Sequence, residues 1–375
     1  MVNLLVDLRD ERFSARATAN YLNTIEQSGH RVDQPEHPPS AMLAWLDEEF
    51  GGTWSSEAYS GRNIILTHDE QYAGFATYDA RGLPFTWLSN WQSRKGTGIF
   101  GPFGVSGRFR GSPVGRNLLL AALGSLRSIG YDFALIPAVS GEPLVRYYVK
   151  NSGGRIVERF SHDQFRSRRF RTTVLASGDG TNFQAVADAC ANGSLPLELS
   201  ALLVNNRSAF ALERARAAGV SALKLVWDKS TETRAVYDRR LIDAVQETAP
   251  ELVLLLGWMH LLPATFIERF PELLNLHPAF LPHDQSADTV IMPDGCVIPA
   301  YRGARALRDA LADRSPWVGA TCHRVTTSVD RGPIMVRKPL AIEPNAGEEA
   351  VAKLLRPIEH RVVLGGIMRW VFEQG

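Results

Sequence analysis

Two α/β domains in tandem are predicted by three features of the sequence: its length, an arginine-rich break near its middle, and a regular alternation of apolar runs with helical stretches beyond that break. At 375 residues the chain is longer than one typical domain. A hydrophobic share of 45% against 22% charged residues suits a globular protein in which each half buries its own core. The break is SHDQFRSRRFR, residues 161–171, with arginines at 166, 168, 169 and 171. Such a short basic run reads as a solvated linker paired with neighbouring carboxylates, the alternative being a nucleic-acid patch. It separates a mixed-sheet domain, 1–160, from a domain with a parallel sheet, 172–375.

In the first domain RNIILT, YAGFATYDA and GIFGPFGVS are strand-like runs. RGSPVGRNLLLAALGSLRSIG follows as a helix with Leu118, Leu119, Ala122 and Leu126 on one face. Then come a strand, YDFALI, a helix containing LVRYYVK, and RIVERF. Phe85, Trp87 and Trp91 read as core packing, or as the lining of a pocket.

The second domain opens with TTVLAS (172–177) and a helix from Asn182. ELSALLV (198–204), a helix near 209–218, ALKLV, a helix over 232–248 and ELVLLL (251–256) follow. Short apolar runs between helices are the signature of a parallel, Rossmann-like sheet covered on both faces. Ligands gather at the carboxyl ends of its strands. The last helix, about 346–372, aligns Val351, Leu354, Leu355, Ile358, Val362 and Val363 as one stripe to pack on the sheet.

A net charge of +1 gives no whole-molecule attraction for nucleic acid. Cys190, Cys296 and Cys322 show neither a disulfide pattern nor metal-ligand spacing, so no metal is expected. No run approaches the ~20 apolar residues of a membrane span. A reduced, cytoplasmic protein without membrane partner is expected; homodimerisation is left open.

Three motifs carry chemistry. SGDGTN (177–182) is a glycine turn opening into a helix, where converging N–H groups and the helix N-terminus would hold an anion; a plain turn capped by Thr181 or Asn182 is the alternative. In LLNLHPAFLP (273–282) strand alternation points Asn275 and His277 to the same side, and Pro278 stops the ladder beyond them. In VTTSVDRGPIM (325–335) Asp330 lies in a loop, and its meaning depends on whether folding brings it beside His277.

From about Thr172 to Trp370 these and intervening segments, among them VNNRSAFALERARAAG and LGWMHLL, resemble in order the folate-dependent formyltransferases, most closely the glycinamide ribonucleotide transformylases of purine synthesis. The resemblance implies a catalytic group of Asn275, His277 and Asp330. It implies that 10-formyltetrahydrofolate is held by Trp258, Met259, His260, Leu261, Leu262 and Val329. It places the acceptor at Gly180, Thr181 and Asn182, with Glu359 near the amine. The implied reaction moves a formyl group onto the amine of a small molecule, with Asn275 donating to the developing oxyanion and His277, strongest as imidazolium, supported by Asp330.

Two departures from the purine enzymes concern the acceptor. HDQSADTVIMPDGCVIPA (283–300) stands where the family has a short connection, and it is expected to reshape the acceptor side. His260 replaces a frequent arginine, and Arg356 occupies a place where a neutral polar residue is usual. The reaction expected is therefore amine formylation in a specialised biosynthetic pathway. Hydrolysis of 10-formyltetrahydrofolate and a non-catalytic folate-binding scaffold are the alternatives.

The order of elements over roughly 60–160 resembles the Gcn5-related N-acetyltransferase (GNAT) fold. That resemblance implies an acyl-coenzyme A turn at Arg110, Gly111 and Gly115, with Tyr148 as the acid for a leaving thiolate. Pro113 stands where the family's middle glycine belongs and offers no N–H. Acetyl-coenzyme A as a second cofactor is thus left open against a fold kept for substrate capture or dimerisation.

Overall fold

The structure, a computed structural model, describes residues 1–85, 88, 91, 94–161, 168–343 and 345–374. Two compact units emerge: Met1–Phe50 with Trp54–Gln164 and Phe372–Gly375, and Gly51–Thr53 with Phe165–Val371.

In the first unit β1 (Val2–Asp7), β2 (Arg31–Asp33), β3 (Arg62–His68), β4 (Gln71–Tyr78), β5 (Thr97–Val105), β6 (Phe133–Val139) and β7 (Arg155–Arg159) form one mixed sheet, ordered β2-β3-β4-β5-β6-β1-β7. The first strand of the chain thus sits between two of the last, antiparallel to both. Strands β5 and β6 pair in parallel only over Thr97–Ile99 with Phe133–Leu135. The helix Pro113–Ile129 buries the four residues expected on one face and also Leu120, Ala121 and Leu123, because it lies on β4 and β5 and under the helix Ala15–Gln27. Gly124 permits that approach: a Cβ there would stand 1.9 Å from Thr18 Oγ1. Phe85 is buried with Leu83, Leu88 and Ile99, and Trp91 packs half-buried on that cluster. Trp87 and Arg166 lie outside the described residues.

In the second unit β8 (Phe170–Ala176), β9 (Leu197–Val204), β10 (Ala222–Lys224), β11 (Leu252–Leu256) and β12 (Leu273–His277) are followed by a hairpin of β13 (Thr289–Ile291) and β14 (Val297–Pro299), then by β15 (Trp317–Arg324) and β16 (Ile334–Ala341). The main sheet is ordered β10-β9-β8-β11-β12-β15-β16. Five strands are parallel, as the alternation of runs and helices predicts, but β15 and β16 are antiparallel to their neighbours, which corrects the all-parallel expectation. The connection 325–333 between them is shorter than the ~12 residues of a parallel crossover, so the chain can only turn back. Strand β8 begins at Phe170, inside the segment read as linker, where the Arg171 N–H donates to the Glu251 carboxylate and Arg168 pairs with the same group.

The helix Glu348–Gln374 buries Val351, Leu355, Ile358, Val362 and Val363, whereas Leu354 is 57% exposed. The buried arc turns toward Gly366 and Trp370, away from Leu354. Among the described residues no helix is long and apolar enough to cross a membrane.

Candidate functional site

Strand β12 ends where parallel sheets usually hold ligands. Its alternation sets Asn275 and His277 on one face, and β15 runs beside it with Asn275 opposite His323 and His277 opposite Thr321. The loop 325–333 carries Asp330 back to the same spot. Asp330 Oδ2 lies 3.5 Å from His277 Nδ1, Oδ1 lies 3.4 Å from His323 Nε2, and Asn275 Nδ2 donates to Oδ1 at 3.3 Å. The three residues singled out in the sequence are therefore neighbours, joined by a fourth, His323.

Hydrogen-bond partners fix the tautomers. His277 Nε2 faces the Tyr301 carbonyl at 2.8 Å, so it must donate, which leaves Nδ1 as the lone-pair nitrogen turned to Asp330. His323 Nδ1 donates to the Arg324 carbonyl at 2.8 Å, and its Nε2 faces both Asn275 Nδ2 at 3.2 Å and Asp330 Oδ1 at 3.4 Å. Both amide hydrogens of Asn275 are thereby engaged inside the cluster, and a flipped amide would set its oxygen against a carboxylate.

Burial, the largest influence, lowers the His277 imidazole below its ordinary value; Asp330 and the Tyr301 carbonyl pull upward, while His323 and Arg302 reinforce burial. For Asp330 burial pushes upward, but His323, His277 and the Gly303 N–H, which donates to Oδ2 at 2.7 Å, hold the carboxyl far below its usual range. The resting pair is therefore an ionised carboxylate beside a neutral imidazole. The support that the sequence reading gives an imidazolium through Asp330 is present, but burial outweighs it and lowers the ring below its ordinary value.

A cavity of about 270 Å³ opens beside this cluster. Trp258 to Leu262 and Val329 line it, together with Asn275, His277 and Asp330, so the segment expected to hold folate and the polar group share one space. Its walls include Leu255, Leu262 and Ile267, and exposed Met259 and Leu261 border it. The Trp258 indole N–H and His260 Nδ1 are buried without a protein partner. Among the described residues none of 283–300 lines this cavity, whose wall is the segment expected to hold folate and not the acceptor side that 283–300 is expected to reshape.

Gly180, Thr181, Asn182 and Glu359 form a second cluster outside that lining. Gly180, not Thr181 or Asn182, is the N-cap of the helix Thr181–Ala191, with φ +71° and a Cβ position only 2.6 Å from the Ala211 Cβ, so only glycine fits. Asn182 Nδ2 donates to Glu359 at 3.1 Å while its Oδ1 is buried without a partner. Burial raises the Glu359 carboxyl, against the Asn182 hydrogen bond and the charge of Arg356.

In the first unit Gly111 has φ +82°, and Pro113 is the first residue of its helix, a position where its missing N–H breaks no internal bond. A Cβ at Gly115 would make only ordinary contacts, so that glycine is not required for close approach. Tyr148 is buried between Phe100 and Phe103, and burial pushes its phenol well up.

A sheet of five parallel and two antiparallel strands, with an amide, imidazoles and a carboxylate at the end of a middle strand, defines an α/β protein whose polar cluster stands where such sheets usually hold ligands. The formyl transferase family model matches residues 170–366, slightly more than half the chain, and the chain belongs to that family. It is similar to the phosphoribosylglycinamide formyltransferase of Escherichia coli (strain K12), 31% identical over 190 residues, 50% of this chain and 81% of that protein. The enzyme of the same name from Dictyostelium discoideum is 30% identical over 211 residues, 53% of this chain and 96% of that one. Among solved structures, glycinamide ribonucleotide transformylase 1 from Symbiobacterium toebii aligns at 31% identity with a TM-score of 0.47, covering 55% of this chain and 89% of that chain.

Sequence reasoning missed His323, Tyr301 and Gly303. His323 ends an apolar run as an ordinary polar residue, and only the β12–β15 register sets it against Asn275. The other two act through backbone groups, which no side-chain pattern reveals.

Proposed function

We propose that the chain transfers a formyl group from 10-formyltetrahydrofolate to the amine of a small molecule, in a specialised biosynthetic pathway. The observation that carries the reading is the convergence of Asn275, His277 and Asp330 at the polar end of the cavity bordered by Trp258–Leu262. The cavity fits the donor: apolar walls suit a flat ring system, and the polar group of Asn275, His277 and Asp330 stands at one end of it. When bound, the folate would supply the formyl carbon: the bond from the amine forms as the bond to N10 of the folate breaks, and the proton the amine loses ends on N10.

The chain's own residues then have three tasks. Neutral His277 accepts a proton at Nδ1, directly or through water, while its Nε2–H stays on the Tyr301 carbonyl. Asp330 stabilises the imidazolium that results, at 3.5 Å. Asn275 can turn an N–H toward negative charge on the formyl oxygen only by releasing His323 or Asp330, and such a donor is worth about 3 kcal/mol of barrier. Glu359, held partly protonatable by burial beside Asn182, Arg356 and the Gly180–Thr181 turn, receives the acceptor's amine end.

Incubation with 10-formyltetrahydrofolate and a panel of amines tests this, following tetrahydrofolate by absorbance and formylated product by mass. Folate release with no dependence on any amine would replace transfer by hydrolysis. The role of Asp330 has its own test. Because the Asp330 anion raises the His277 pKa against burial, Asp330→Asn should lower that pKa further. Protonation of His277 then requires more acid, so the acidic limb of the kcat profile moves to lower pH, with a lower plateau. An unmoved limb would separate Asp330 from His277.

For the first unit the reading is a GNAT-like fold that holds substrate or another chain rather than acetyl-coenzyme A. Support comes from Pro113 at the helix start, which removes one donor to a pyrophosphate, and from Tyr148 buried among aromatic rings. A donor lost from a charged oxygen costs about 1.5 to 3 kcal/mol, roughly ten- to a hundredfold in affinity. Calorimetry should detect no low-micromolar binding of acetyl-coenzyme A, and acetylated product with tight binding would reverse the assignment.

A further inference from the structure

Residues 283–300 fold as a strap. The β13–β14 hairpin buries Val290, Met292 and Ile298, and Asp294 anchors it by accepting from the Trp317 indole at 2.9 Å. The stretch before the hairpin is gripped by two arginines. Arg302 donates from Nη2 to the Ala287 carbonyl at 2.7 Å and from Nη1 to Asp288 at 3.3 Å, while its Nε donates to the Asp330 backbone carbonyl at 3.2 Å. Arg331 donates from Nη1 to the Gln285 carbonyl at 2.8 Å and the Ser286 carbonyl at 3.2 Å, and from Nη2 to the same Asp288 oxygen that Arg302 uses.

Each arginine stands next in the chain to groups that hold the polar cluster. Arg302 lies between Tyr301, whose carbonyl accepts a hydrogen bond from His277 Nε2–H, and Gly303, whose N–H donates to Asp330. Arg331 follows Asp330, whose φ of +51° places it in the left-handed region that few residues other than glycine use. We infer that the strap is a positioning device in which Asp288, clamped between Arg302 and Arg331, sets the distance between Asp330 and His277. This rests on the formyl-transfer reading for its kinetic consequence, but the geometry of the pair can be measured without it.

The alternative, that the strap merely stabilises the fold, makes different predictions. The Asp288 side chain is 78% exposed, and an ion pair so exposed adds little stability. As a clamp, however, Asp288 governs placement at the cluster, where a misplacement of about 1 Å can cost up to a hundredfold in rate. Asp288→Ala and Arg331→Ala are therefore expected to melt near the wild type yet to lose about tenfold or more in kcat, with the KM for the folate changed less than about twofold. Asp288→Glu, which keeps a carboxylate for both guanidinium groups, should recover part of the loss.

The second readout is the titration of the His277 ring followed by nitrogen NMR. Asp330, His323, Arg302 and the Tyr301 carbonyl are the groups that face it. Withdrawal of the Asp330 anion should move its midpoint to lower pH in Asp288→Ala. A wild-type midpoint and a wild-type kcat in Asp288→Ala would overturn the clamp, even if Arg331→Ala proves unstable. Should the wild-type protein transfer no formyl group at all, the functional reading fails, and the His277 midpoint still decides the clamp.

Discussion

His277→Ala is expected to slow formyl transfer by about a hundredfold or more while folate affinity, read from quenching of Trp258, changes little. The imidazole is 4% exposed and touches the cavity at the polar cluster, not along the apolar wall that would contact a ring system. Its removal takes away the proton acceptor at Nδ1 and leaves one buried group short of a partner, the Tyr301 carbonyl. An unsatisfied buried group costs about 1 to 3 kcal/mol, so a modest loss of stability should accompany the loss of rate. His277→Gln separates the two effects. Its amide can still donate to Tyr301, which should restore much of the stability, but it cannot take up a proton and should remain slow. A single-turnover rate near wild type in both variants would remove His277 from the chemistry.

The pair of side chains at the end of β12 was legible because it depends on two local rules. Alternation fixes the face, and proline fixes the end of the ladder. Asp330 obeyed no such rule; only likeness to a family linked it to His277, and the left-handed turn that delivers it shows in the structure alone. The net direction of the His277 pKa was not legible, for a physical reason. A carboxylate neighbour is visible in a sequence once a family is known, whereas the burial that outweighs it is a sum over many side chains. The same limit applies to the sheet. Runs and helices forecast five parallel strands, but β15 pairs with β12 across some forty residues and β1 enters a sheet built mostly from residues beyond 60. Asp288 in the insertion and Arg302 and Arg331 beyond it look like unrelated charges until folding brings them to one point.

Gly332→Ala should be the most damaging small substitution in the loop that carries Asp330. A Cβ built on Gly332 would stand 1.7 Å from the Arg324 carbonyl oxygen and 2.7 Å from its carbon. Both atoms are backbone at the end of β15, so no side-chain rotation relieves the clash. The Arg324 N–H also donates to the Pro333 carbonyl at 2.9 Å, which ties the two segments together just where they would have to part. Forced separation costs about 1 to 3 kcal/mol or more. It also carries Asp330 and Arg331 away from His277, His323 and the Asp288 clamp, since Asp330 lies only two residues before Gly332. We expect a lower melting temperature and a fall in kcat of about a hundredfold, with the midpoint of the His277 titration moved to lower pH as its anionic neighbour retreats. Folate affinity should fall as well, though less, because Val329 shares the loop while the Trp258–Leu262 wall does not. Thermal melts, single-turnover rates and the ring titration on one preparation test the chain of cause. A variant that melts and turns over like the wild type would mean that the loop can shift without moving Asp330, and that the close approach at Gly332 does not position the carboxylate.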